Sequence, residues 1–345
     1  MSLTFLGRLA RTCAQPSRSF RIIGSSRYLA TKPAPSFPVI PDCPSPTCNC
    51  APTPALPEDL PIDHKTTLNG LISNYAQQVL VCTGKDDWPS KIETEDEGDN
   101  LAADLRKLIG PKGVYSDPFH NISVLNASFP STPSVTPSTS AYILPEFKYV
   151  PNIPRSSSEA LEGLVKAYLL PETLHPAHGE SSDLSDRLTR NTAYQQFIPG
   201  VRDVKNVFVL ICGHGGRDMR CGMLGPVLRD EFRARLPEVG VEVLEGPANE
   251  TEEGRSDNGD VRSARVGLIS HIGGHKFAGN VIIYLPPQMK TRDGKRHPLA
   301  GHGIWYGRVE PKHVQGIVNE TVMKGNVIKE FFRGAIRRDG EILRL

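Results

Sequence analysis

The chain has 345 residues, 38% of them hydrophobic, which is enough for two modest cores and too apolar for a wholly disordered protein. A formal net charge of +2, with no basic stripe interleaved with aromatics, excludes a dedicated nucleic-acid surface. No run of about 18 apolar residues occurs, so no membrane-spanning helix is expected, and seven scattered cysteines do not make a small disulfide scaffold.

Met1 to Pro41 contains no Asp or Glu, yet holds Arg8, Arg11, Arg18, Arg21, Arg27 and Lys32. Leu3, Phe5, Leu6 and Leu9 set against Arg8 and Arg11 give its start an amphipathic helical pattern. An acid-free, basic, serine-containing amphipathic leader reads as a mitochondrial transit peptide over residues 1–32, with the matrix as destination. Cys13 leaves with it. Residues 33–61 are dense in proline, carry Cys43, Cys48 and Cys50, and are expected to be irregular or extended.

Residues 62–199 read as a first, divergent α/β domain. Helices are expected over Thr66–Gln78, Leu101–Ile109 and Ser157–Leu170, the last with a serine cap. Val79–Cys82, Ile122–Phe129 and Ala141–Val150 read as strands, and Lys91–Asn100 as an exposed acidic stretch. The Ser/Thr/Pro tract Pro130–Ser140 cannot pack a core and reads as a surface loop. The domain boundary falls near Gly200.

Residues 200–345 form the second domain. Asn206–Cys212 is a continuous apolar run, the mark of a strand buried on both faces. A helix over Gly225–Leu236 follows, with Pro226 in its first turn, then a strand over Val241–Leu244 and an acidic loop over Pro247–Asp260. Strands over Val266–His271, Asn280–Leu285 and Gly303–Val309 precede a closing helix over Pro311–Lys324. The order is that of a mixed α/β domain and is compatible with a thioredoxin-like fold.

The chemistry gathers at two glycine-rich segments, Cys212-Gly-His-Gly-Gly-Arg-Asp-Met-Arg-Cys221 and His271-Ile-Gly-Gly-His275. Both start at the C-terminal end of an apolar strand, where α/β proteins place their sites. Two thiols and two imidazoles suit a borderline or soft metal. Their glycines admit a bulky group and offer amide donors to sulfide. Structural zinc favours cysteines two to four residues apart, and this pair is wider. A Rieske centre takes one Cys and one His from each loop, whereas here the thiols share one segment and the imidazoles the other. The Arg217 spacing does not suit a cysteine phosphatase, and no G-x-S-x-G elbow exists for a hydrolase.

The C-x8-C pair followed by H-x-G-G-H, with Gly303-Ile-Trp-Tyr-Gly307, resembles the sucrase/ferredoxin-like family of thioredoxin-like ferredoxins. The resemblance implies a [2Fe-2S] cluster, with Cys212 and Cys221 on one iron and His271 and His275 on the other. Neutral imidazoles in place of two thiolates would raise its potential, and proton exchange at those rings would make it pH-dependent. The expected function is one-electron transfer and redox homeostasis with a protein donor or acceptor, an electron carrier rather than a stand-alone enzyme. No nicotinamide or flavin fingerprint is present. Arg217, Arg220, Lys276 and His214 are candidates for charge or hydrogen bonds around the site. Two alternatives stay open: a thiol oxidoreductase or thiol quality-control factor working through Cys43, Cys48 and Cys50, and a structural zinc module that binds other proteins. Cys82, Trp88 and Trp305 read as packing residues, the tryptophans also as shields of the site.

Overall fold

The computed structural model describes residues 36–179, 182–249 and 263–345. The expected leader over residues 1–32 lies outside them, as does most of the expected acidic loop at 247–260.

β1 (Val39–Ile40) is a short strand in the proline-rich segment. β2 (Gln77–Cys82) leads to α1 (Leu101–Ile109), where the Asn100 side chain caps the helix by accepting the Ala103 N–H. β3 (Ile122–Ala127) runs parallel to β2, while β4 (Ser138–Leu144) runs antiparallel to β2 and β5 (Lys148–Pro154) antiparallel to β4. α2 (Ser158–Leu164), capped by Ser157, passes into π-helix over Val165–Leu169. α3 (Ser182–Leu188) and the two-residue β6 (Arg202–Asp203) complete this half.

The second half repeats the plan. β7 (Val207–Cys212) leads to α4 (Met219–Glu238), and after the two-residue β8 (Glu242–Val243), β9 (Ser263–Ile269) runs parallel to β7. β10 (Val281–Tyr284) is antiparallel to β7 and β11 (His302–Tyr306) antiparallel to β10. α5 (Pro311–Ile317) again loosens into π-helix, over Val318–Lys324. β12 (Val327–Ile328), β13 (Phe332–Arg337) and β14 (Ile342–Leu343) then close the chain. Strand, helix, parallel strand, two antiparallel strands and a helix that ends in π-helix thus occur twice. It is a thioredoxin-like order in each half.

A continuous mixed sheet joins the halves in the order β14-β13-β11-β10-β7-β9-β3-β2-β4-β5-β6, with β8 on β9. The seam is antiparallel, with Ala127 opposite Ile269. Around that pair, Ser128 N donates to Leu268 O at 2.9 Å and Ser270 N to Asn126 O at 2.9 Å. Each serine hydroxyl then accepts the opposing strand's amide, from Asn126 and Leu268. Behind the seam Phe129 meets Tyr142 and Phe208 edge-on, at 5.4 and 6.0 Å between ring centroids. Gly267 leaves room for that ring, since a Cβ there would sit 2.7 Å from it. The sheet therefore does not break near Gly200.

Several elements depart from expectation for identifiable reasons. Thr66–Gln78 is not a helix. Its backbone is taken by the other half: Gly70 N bonds Arg333 O, and the Arg308 and Arg333 guanidinia take the carbonyls of Thr66 and Leu71. The Ala141–Val150 run is two strands with a turn between. Lys91–Asn100 is not wholly exposed, because Glu95 is buried and accepts from Lys85 and Asn126. The second-half helix begins at Met219, ahead of the expected start, because Asp218 caps it. The three short strands after Lys324 were not foreseen.

Because Phe129 belongs to the first half and packs on the second, Phe129→Ala should cost about 3–5 kcal/mol and lower the melting of both halves together. Near- and far-ultraviolet circular dichroism should then show one shared transition; two separate ones would mean the seam does not couple the halves.

Candidate functional site

Cys212 ends β7 and Cys221 lies in the first turn of α4, both almost fully buried. Cys221 is thus on the helix, ahead of the expected start at Gly225. What brings the helix onto the loop is glycine. A Cβ on Gly225 would lie 2.7 Å from Gly213 Cα and 2.9 Å from Cys212 O, and one on Gly222 only 2.5 Å from Gly215 Cα. The backbones touch directly, and the two thiols come side by side.

That contact splits the behaviour of the two thiols. The hydrogen bond from Cys221, followed by those of His271 and the His214 backbone, holds Cys212 well below the ordinary thiol range. The same bond, together with burial, pushes Cys221 up. Two buried thiols this close carry one negative charge readily and two only beside a cation. The N-terminus of α4 supplies part of that positive field. Arg333 supplies more. It is 3% exposed, and its guanidinium donates to Leu71 O, Gly273 O and Asn280 Oδ1, with no carboxylate in that set. Burial lowers its pKa to about 10, and the Cys212 and Cys221 charges act against that shift.

His271 follows β9, and His275 starts a short 3-10 turn over His275–Phe277. Gly273 and Gly274, at φ +83° and +76°, reverse the chain between them, so the rings come to 5.3 Å between centroids. Both rings are half-buried, and the Nδ1 atom of each is buried without a hydrogen-bond partner. A buried imidazole nitrogen with nothing to bond is costly unless something else occupies it.

The surrounding layer is drawn from both halves. His214 is 1% exposed; its Nδ1 accepts the His271 N–H at 3.0 Å, and its Nε2 donates to the carbonyls of Trp88 and Pro89. One tautomer satisfies all three bonds and ties the histidine segment to the cysteine segment. Asp87 accepts the Gly216 N–H, and the Trp88 ring stands edge-on to His214 at 5.9 Å. Asn280 donates to Gly274 O and receives Arg333, which fixes the turn from behind.

The structure therefore brings Cys212, Cys221 and His271 together, with His275 beside His271. No three of the four place ligand atoms within 4.8 Å of one another; among the described residues only Cys48, Cys50 and Glu231 do so. Ligand atoms around one tetrahedral ion lie about 3.5–4 Å apart, so the four suit a wider group than a single zinc ion. The amides of three of the expected glycines in the cysteine segment are taken by other partners. Gly213 N bonds Ile269 O, Gly215 N bonds Gly213 O, and Gly216 N bonds Asp87.

Of the flanking candidates, His214 organises the site. Arg220 is held bidentately by Asp218 and reaches Pro61 O. Lys276 pairs with Asp63 at 2.9 Å, and Arg217 is exposed beside Ser90. Asp87, Asp218, Asn280 and Arg333 escaped sequence reasoning; the only available signal was that polar residues flank each glycine-rich segment. Cys43, Cys48 and Cys50 lie elsewhere. Cys48 and Cys50 form a disulfide beside Glu231, ten residues along α4 from Cys221, or about 15 Å of helix. Cys82 is buried, and burial pushes its thiol up. Trp305 is fully buried and donates to the Tyr75 hydroxyl.

Comparison with known proteins places residues 68–334 within the sucrase/ferredoxin-like family. Altered inheritance of mitochondria protein 32 of Debaryomyces hansenii is 31% identical over 297 residues, covering 84% of this chain and 93% of that protein. The protein of the same name from Meyerozyma guilliermondii is 28% identical over 304 residues, covering 85% and 94%. Actin patches distal protein 1 of Saccharomyces cerevisiae is 36% identical over 121 residues, covering 34% of this chain and 30% of that protein. No solved structure matches the chain.

His214→Ala should release the histidine segment and lower the affinity of the site for metal by about 10–100-fold, whereas Arg217→Ala at the exposed edge should leave it unchanged. Bound metal per chain after graded chelator challenge measures both.

Proposed function

The chain belongs to the sucrase/ferredoxin-like family, and from that premise we propose that it is a mitochondrial one-electron carrier holding a [2Fe-2S] cluster on Cys212, Cys221, His271 and His275. The observation that carries this reading is the donor set itself: a buried dithiol that needs a cation, beside two buried imidazole nitrogens without partners. When bound, the cluster supplies reversible one-electron exchange. The mitochondrial setting is supported by the acid-free basic leader and by the names of the relatives.

The protein's own contribution is charge and order. Two thiolates and two neutral imidazoles would offset the +2 of an oxidised cluster, so its reduction would leave one negative charge in a buried place. Arg333 is a fixed cation there, and by Coulomb attraction it favours the reduced state. His214 keeps His271 in register without itself being a ligand. The histidine edge is half-exposed while the cysteine edge is sealed, so a bound cluster would exchange electrons and protons on the histidine side, toward a protein donor or acceptor.

A second reading, thiol–disulfide chemistry, is favoured by one observation, the Cys48–Cys50 disulfide on a half-buried segment. Cys43 takes no part in it. Burial first, then Glu330 and Glu320, pushes its thiol up to about 12, so the thiolate is scarce at neutral pH.

His271→Cys and His275→Cys should each retain iron and move the reduced-state electron paramagnetic resonance (EPR) signal toward that of an all-cysteine ferredoxin; an unchanged signal would remove that histidine from the ligand set. Arg333→Gln should lower the midpoint potential and Arg333→Lys should restore most of it, read by dye-mediated titration. In the reduced chain at pH 8, iodoacetamide should label Cys43 about a thousandfold more slowly than an ordinary thiol, the rate rising as pH approaches about 12. Mass spectrometry of the labelled peptides decides it.

A further inference from the structure

Outside the cysteine–histidine group, one set of side chains has the composition and closeness of a metal site. The ligand atoms of Cys48, Cys50 and Glu231 all lie within 4.8 Å of one another. Glu231 sits in the middle of α4 and is 5% exposed. One of its carboxylate oxygens accepts Arg235 Nε at 2.8 Å and the other accepts Ala51 N at 3.1 Å. An ionised carboxylate offers about four acceptor positions, so about one remains on each oxygen, including the one that accepts Ala51, the sulfurs' neighbour. The segment that carries the thiols is fixed independently of the disulfide. β1 pairs with β12, Thr47 bonds Gln315, and Thr53 bonds Glu310. Breaking the S–S bond therefore leaves both sulfurs near Glu231.

We propose that the reduced Cys48–Cys50 pair, with Glu231, is a second metal site that takes one divalent cation of the zinc class, and that disulfide formation empties it. Two thiolates with one carboxylate select a borderline-soft cation over calcium or magnesium, and water fills the fourth position of a tetrahedral ion. Two thiolates and a carboxylate against a dication leave one negative charge, next to the Arg235 guanidinium that Glu231 shares with Glu238. The redox step closes. A dithiol reductant gives two electrons and two protons to the S–S bond, yields two thiols and leaves as its own disulfide; cation binding then releases the two thiol protons to solvent. The site lies about 15 Å along α4 from Cys221 and shares no ligand with the cluster site.

The test uses the full chain purified without oxygen. It is reduced with a phosphine, equilibrated with zinc chloride, desalted, and analysed for zinc and iron. The reduced protein should hold one zinc per chain with its iron unchanged, and the disulfide form should hold none at this site. Cys48→Ser and Cys50→Ser should each cut the bound zinc at least tenfold, and Glu231→Gln should weaken binding about tenfold. Iron content in every variant reports that the fold is intact. A chain isolated without iron is tested in the Cys212→Ser background, where the zinc lost on adding Cys48→Ser reads this site alone. The proposal is overturned if the reduced chain takes no zinc, if Cys48→Ser keeps it, or if zinc enters only as iron leaves.

Discussion

The site depends on one close contact, the backbone-to-backbone packing of α4 on the segment after Cys212. Gly222 and Gly225, packed on the backbone of Gly215 and of Cys212–Gly213, leave no room there for a methyl group, and that is why a thiol on a helix meets a thiol at a strand end. Once they meet, the electrostatics follow. One sulfur is drawn down, the other is pushed up, and both lie in a place that calls for positive charge. The helix terminus, Arg333 and the histidine segment are arranged around that demand.

The repeated topology gives the two halves different work. Cys82 ends β2 as Cys212 ends β7, but the first half has no glycine-rich pair of segments and its cysteine is simply buried. Its loop after β2 instead reaches across, with Asp87 on Gly216 and the Trp88 and Pro89 carbonyls on His214. The proline-rich segment closes from another side. Its Pro61 carbonyl receives Arg220, one residue before Cys221, and Asp63 pairs with Lys276, one residue after His275. A site whose four central residues come from the second half is thus walled by the first half and by the segment ahead of it.

Much of this was legible in the sequence, for physical reasons. Apolar runs such as Val207–Cys212 mark buried strands because both faces must be covered, and Asn100 and Ser157 mark helix starts through their caps. That Cys212, Cys221, His271 and His275 would gather at one place was readable because thiols and imidazoles beside paired glycines at strand ends are scarce combinations. What could not be read depends on distant partners. Thr66–Gln78 has helical spacing, yet its backbone is taken by Arg308 and Arg333, more than two hundred residues away. The start of α4 was missed because Asp218, not Pro226, sets it. Arg333 carries no local signal at all; its meaning comes from lying behind Gly274, where a Cβ would meet its guanidinium at 2.7 Å.

The most direct test of the central claim is a count of iron and acid-labile sulfide in the full chain isolated without oxygen, with the EPR spectrum after dithionite. The account predicts two irons and two sulfides per chain and a reduced-state signal of low average g, as mixed nitrogen–sulfur ligation gives. A chain that holds neither metal nor sulfide even after anaerobic reconstitution, or one that holds a single zinc ion on Cys212 and Cys221, would contradict it.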